Sequence, residues 1–186
     1  MYKKVLALFF VLMFSGCAST MTAKLGPLPT TEIKHVSISD ERLDSEKKYS
    51  IPEMWIPIRI LGDANFEPSL LDYFTSEVEI EAKKQSKKYE IAITRMRVID
   101  NYAARVEKSQ AGALAGIGVV STGPDLFSGH DFVVFEFNGT IDGVVMEQKA
   151  SCTYDTSPLS VTVLNDSNFK EALKKVVKEV VTKITQ

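Results

Sequence analysis

Two histidines and two cysteines carry most of the reactive chemistry that this 186-residue chain offers. His130 and Asp131 stand side by side, and an imidazole next to a carboxylate is part of a serine triad or of a metal pair. The remaining parts are not legible. No G-x-S-x-G nucleophile elbow occurs, and the other histidine, His35, has no companion at metal-ligand spacing. His35 is expected on a strand face, bonded to backbone or water. Gly112, Gly116 and Gly118 do not complete a phosphate cradle, because they lack the lysine and serine or threonine of a P-loop and the spacing of a dinucleotide turn. These residues predict no catalytic group, no metal site and no cofactor. Cys17 is different, because it follows the basic Lys3-Lys4 pair, the apolar run Val5 to Phe14, and small Ser15 and Gly16. That order is the pattern of a secretory signal peptide. An apolar run of about ten residues is too short for a hydrocarbon core that needs roughly twenty.

Phe14-Ser15-Gly16-Cys17 resembles the lipobox of bacterial lipoproteins, whose thiol receives a diacylglycerol before the leader is cut away. Phe14 stands where leucine is usual. The resemblance implies lipidation of Cys17, with acyl chains contributing about 0.8 kcal/mol per buried CH₂ and more than one chain giving a stable anchor. Ala18, rather than aspartate, resembles the outer-membrane sorting pattern of such lipoproteins. The expected organisation is a signal peptide at 1–16, a lipidated terminus and flexible tether at 17–31, and one α+β domain at 32–186 with a Gly-rich loop at 104–131. The tether sequence ASTMTAKLGPLPTT is small, polar and proline-containing, with no apolar period.

Roughly 155 residues beyond the tether suffice for one core that buries about 70% of the unfolded surface. Lys3 and Lys4 fall in the leader, leaving 20 basic against 24 acidic residues, a net charge of −4. That balance argues against nucleic acid as a partner. With Cys17 assigned to the anchor, Cys152 has no second cysteine in the chain to pair with.

The apolar periods then set out the elements. Ile33 to Ile38 reads as a short strand, and Ser39 to Lys48 as a solvated loop. Ile56 to Ile60 carries Pro57 and so belongs at a sheet edge. Leu70, Phe74, Val78 and Ala82 recur every four residues, predicting an amphipathic helix with Pro68 in its first turn and a solvated lysine-rich end at Lys83, Lys84, Lys87 and Lys88. Tyr89 to Tyr102 is a strand whose apolar parity switches between Ile93 and Met96, which predicts a bulge near Thr94 or Arg95, or burial on both faces. The clearest signal is Asp142-Gly143, a type I′ hairpin dipeptide between two apolar runs. Setting Ile141 opposite Val144 places Phe137 against Gln148, Phe135 against Ala150 and Val133 against Cys152, with Glu136 meeting Lys149 on the other face. Val144, Met146, Ala150 and Cys152 are thereby expected to face inward, with Cys152 a buried, inert thiol. Leu159 to Leu164 is either another strand or a lead into the last helix. Asp166, Ser167 and Asn168 are N-cap candidates for that helix, whose apolar face is Phe169, Leu173, Val176, Val177, Val180 and Ile184.

The order of short strand, Asp40-Glu41-Arg42, edge strand, helix, long strand, loop, hairpin and final helix resembles small α+β envelope lipoproteins, among them the YajG-like group. The implied fold is an antiparallel sheet of four to five strands with two helices on one face. The group carries no agreed catalytic residues to transfer. The Gly-rich stretch has no counterpart in the resemblance, and Leu114, Ile117, Val119, Val120, Leu126 and Phe127 within it are expected to meet a partner protein. The expected function is a membrane-anchored, non-enzymatic accessory of an envelope assembly or transport system, outer-membrane and periplasm-facing. A small-ligand or lipid-binding module and an envelope hydrolase are the alternatives.

Overall fold

The hairpin dipeptide Asp142-Gly143 sets the register of the sheet. Both residues adopt positive φ, 51° and 81°, as a type I′ turn requires. From this turn run β6 (Asp131–Ile141) and β7 (Val144–Tyr154), paired from Ile141↔Val144 to Asp131↔Tyr154. Every cross-strand pair expected from the turn is present, including Glu136↔Lys149 and Val133↔Cys152. The computed structural model describes residues 22–48, 59–100, 131–155 and 166–186.

The described elements before the hairpin are β1 (Ala23–Lys24), β2 (Val36–Asp40), the one-turn helix α1 (Asp44–Lys47), β3 (Arg59–Leu61), a 3₁₀ turn at Asp63–Asn65, β4 (Phe66–Glu67), α2 (Leu70–Gln85) and β5 (Tyr89–Asp100). After the hairpin comes α3 (Ser167–Ile184). The fold is α+β, with five strands in the main sheet and the two long helices packed against it. Within the main sheet, pairing is antiparallel except between β2 and β5.

The parity switch in β5 is a bulge. Ile93 pairs with Gly139 and Arg95 with Asn138, so Thr94 is the extra residue, and Tyr89, Ile91 and Ile93 share the buried face with Met96 and Val98. Gly139 is required there, because a Cβ would lie 2.2 Å from the Ala92 carbonyl oxygen. On its outer side β5 is shared by two short strands. β2 runs parallel along Tyr89 to Ile93, and β3 runs antiparallel along Val98 to Asp100. The two therefore point their C-terminal ends at each other.

The core lies between sheet and helices. Phe74 on α2 stacks on Phe137 with ring centroids 5.3 Å apart and touches Phe135 at 6.0 Å, while Tyr154 meets Phe169 of α3 edge-on at 5.6 Å. Each fully buried phenyl contributes roughly 1.5–3 kcal/mol relative to exposure. α3 buries the whole apolar face read from its period, and Asp166 caps it by accepting from the Asn168 N–H at 2.7 Å.

Three boundaries differ from the sequence reading. The first main-sheet strand is 36–40 rather than 33–38, leaving Ile33 exposed, because the parallel register against β5 starts at Val36↔Tyr89. Pro68 does not lie in the first turn of α2. Ser69 caps the helix, its Oγ accepting from the Asp72 N–H at 3.1 Å, so the proline falls before the cap. Val144, expected inward, is 59% exposed, since it sits at the turn end of β7, outermost in the strand order.

The largest difference concerns the expected tether. From Thr22 onward the described chain is part of the domain: Ala23 and Leu25 are buried, β1 pairs in parallel with β4, and the Leu25 N–H donates to the Glu67 carbonyl at 2.8 Å. A two-residue strand and two buried apolar side chains leave no helical or alternating period to read. Cys17, Ile56 to Ile58, Leu159 to Leu164, and the Gly-rich stretch with Leu114, Ile117, Val119, Val120, Leu126 and Phe127 lie outside the described residues.

Candidate functional site

His35 ends a strap, residues 22–35, that runs beside α2 in the helix's own direction, from Ala23 at Phe66 through Thr30 at Ser76 to His35 at Glu79. Two side chains one turn apart on the helix hold it. Ser76 brackets Thr30, accepting from its N–H at 2.7 Å and donating to its carbonyl at 2.8 Å. Glu79, whose side chain is 4% exposed, accepts the His35 N–H at 2.8 Å through one oxygen and lies 2.6 Å from His35 Nδ1 through the other. Burial pushes the Glu79 carboxyl up, but the His35 ring, the His35 backbone and the Lys34 backbone outweigh it and hold it below its ordinary value. The expectation of a strand-face histidine bonded to backbone or water is not met: His35 stands just before β2, and its ring pairs with a buried carboxylate. Beside the pair opens a groove of about 370 Å³, lined by Thr30, Glu32, Lys34, His35, Glu79 and Lys83 among others. Its imidazole and carboxylate already bind each other, so the pair latches the strap to the helix.

A second polar cluster closes the gap between β2 and β3. Arg42, in the stretch expected to be a solvated loop, has a side chain with no exposure. Its Nε and Nη2 donate to the two oxygens of Asp40 at 2.7 and 2.9 Å, and its Nη1 and Nη2 donate to those of Asp63 at 3.1 and 2.5 Å. Burial opposes the Arg42 charge, and the two aspartates more than compensate, raising its pKa. The hydrogen bond from Arg42 holds Asp40 below the usual carboxylate range. Beside the cluster, a Cβ on Gly62 would lie 2.2 Å from the Lys48 carbonyl oxygen. The available signal was Asp40-Glu41-Arg42 itself, with two complementary charges that a forked guanidinium can bridge to a third.

Asp100 and Asp131, 0% and 1% exposed, end β5 and begin β6, so both stand where residues 101–130 depart and return. The Tyr154 hydroxyl donates to Asp100 Oδ1 at 2.7 Å. Asp131, half of the His130-Asp131 pair, is a buried strand residue, and His130 lies outside the described residues. Cys152 faces the helices as the register implied but is only half-buried, because β7 is the outermost strand; its thiol donates to the Thr153 carbonyl at 3.3 Å. Among the described residues no three His, Cys, Asp or Glu side chains group as a metal site would, and no helix is long and apolar enough to cross a membrane.

Comparison with protein-family models, with curated proteins and with solved structures finds no match to this chain.

Proposed function

We propose that this chain is a lipid-anchored accessory protein of the bacterial envelope, attached through Cys17 to the periplasmic face of the outer membrane and acting through protein contacts rather than chemistry of its own. The observation that carries the reading is how soon after Cys17 the packed domain begins. Ala23, fully buried, stands six positions along. Even fully extended, six residues span only about 20 Å. An acylated Cys17 would therefore hold the domain close against the leaflet, where a partner in the same membrane is within reach.

The partner is an envelope protein, and the apolar residues Leu114, Ile117, Val119, Val120, Leu126 and Phe127 are the contacts this proposal assigns to it. Affinity purification of the tagged chain from solubilised membranes tests it. A stable set of envelope proteins lost on replacing residues 111–128 with a Gly-Ser linker is the expected result. Recovery of the same set with the linker variant would remove that segment from the proposal.

A further inference from the structure

In the strand order β2-β5-β6-β7, β7 is last, and among the described residues its only sheet neighbour is β6. The edge is long, eleven residues. In an antiparallel hairpin closed by a two-residue turn, the closing pair Ile141↔Val144 exchanges hydrogen bonds and alternate pairs do so thereafter. The even-numbered residues of β7 thus direct their backbone groups toward β6. Val145, Glu147, Lys149, Ser151 and Thr153 direct theirs outward, and Val144 and Val145 are 59% and 81% exposed. An edge of this length is a template for another strand.

We infer that this edge pairs with the β7 edge of a second copy of the same chain, antiparallel, about a two-fold axis through Gln148. The charges choose that register. With Gln148 opposite itself, Glu147 faces Lys149 of the copy and Lys149 faces its Glu147, so both pairs are opposite in sign. Shifting the axis to residue 147 or 149 sets like charges face to face, and shifting it to 146 or 150 sets each charge against an uncharged residue. The chosen axis also agrees with the backbone, because 147 and 149 are outward-directed and exchange two hydrogen bonds with each other across the interface. On the helix-covered side it lays Val144 over Cys152 of the copy and Met146 over its Ala150. On the open side, Arg97 donates to Glu136 at 2.7 Å and Glu136 stands opposite Lys149, so the new Lys149 to Glu147 contact continues a row of alternating charge. A lysine on an edge strand ordinarily deters pairing. Here a glutamate two residues away turns it into a determinant of self-recognition.

The test uses full-length chains with two different tags, solubilised together in mild detergent. Wild-type copies co-purify. Lys149→Glu and Glu147→Lys each self-associate about tenfold more weakly, since each sets like charges opposite one another twice. Mixing the two variants restores association, because every facing pair is again of opposite sign. In a Cys152→Ser background, Gln148→Cys forms an interchain disulfide on mild oxidation, its Cα atoms lying about 4.5 Å apart across a non-hydrogen-bonded pair; the background alone does not. Wild-type copies that stay separate, or variants that associate as well as wild type, overturn the proposal. Failure of the mixture to recover when both variants are folded does the same. If a charge variant does not fold, the Gln148→Cys link decides alone.

Discussion

Arg42 and Asp63 lie twenty-one residues apart in sequence and meet through two nitrogens and two oxygens, at 3.1 and 2.5 Å. The pair joins the loop after β2 to the turn after β3, and Asp40 takes the other side of the guanidinium. The guanidinium ties the facing ends of the two short strands on the outer side of β5 to each other, where the Glu41 N–H to Ile93 carbonyl bond ties the β2 end to β5 alone. Arg42→Met should lower stability by about 3 kcal/mol, because it leaves partly buried Asp63 without its Arg42 partner and Asp40 with only Lys47 at 3.5 Å. Arg42→Lys should recover less than half of that, since an ammonium cannot hold two carboxylates in a planar fork. Denaturant titration of the three proteins reads both values, and equal stability of the lysine variant and the wild type would contradict the account.

The strap should be separable from the core. Glu79→Leu removes the acceptor of the His35 N–H and the partner of its ring, at a cost of about 1–3 kcal/mol. Amide exchange should rise at residues 30–36 while α3 and the β6–β7 hairpin keep their protection. Exchange rising uniformly over the domain would show that the strap is not a local unit.

Acid should weaken the same two contacts. Asp40 and Glu79 are held below their ordinary values of 3.8 and 4.5, so in the unfolded chain they bind protons at higher pH than in the native one. Their stabilisation is complete above those ordinary values and is lost as pH falls through the lowered ones. The thermal midpoint should therefore drop as pH falls below about 5, and Glu79→Gln and Asp40→Asn should each flatten that drop. A slope unchanged in both variants would assign the acid sensitivity elsewhere.

Gly139 and Gly143 should respond differently to the same change. At Gly143, φ is +81° with open space around it, so Gly143→Ala should cost only the strain of a left-handed residue, about 1 kcal/mol. At Gly139 a methyl would meet the Ala92 carbonyl oxygen at 2.2 Å, and backbone must move. Gly139→Ala should cost about 3 kcal/mol or more, as overpacking at a fixed strand pair does. Comparable midpoints for the two variants would show the bulge to be more yielding than described.

What was legible in the sequence was what local chemistry encodes. Asp142-Gly143 carries its own turn geometry, so one dipeptide set the register of the hairpin. The parity switch pointed to a bulge near Thr94 or Arg95, which the register places at Thr94, and Asp166 was among the caps read for α3. What was not legible depended on partners distant in sequence. Nothing in Val36 to Asp40 says that its neighbour is β5 or that the pairing is parallel, and Arg42 looked solvated because Asp63 is close only after β3 is in place. Ala23 and Leu25 read as tether because burial of two isolated side chains leaves no period. Cys152 was placed on the correct face and too deep, since alternation gives the face of a strand but not whether it lies at the edge.

The measurement closest to the central claim is metabolic labelling with a fatty-acid analogue, combined with fractionation of membranes from soluble periplasm. The account predicts that the wild-type chain is labelled and sediments with the outer membrane, and that Cys17→Ala is unlabelled and leaves the membrane fraction. Labelling that persists in Cys17→Ala, or a wild-type chain that is unlabelled and soluble, would contradict it.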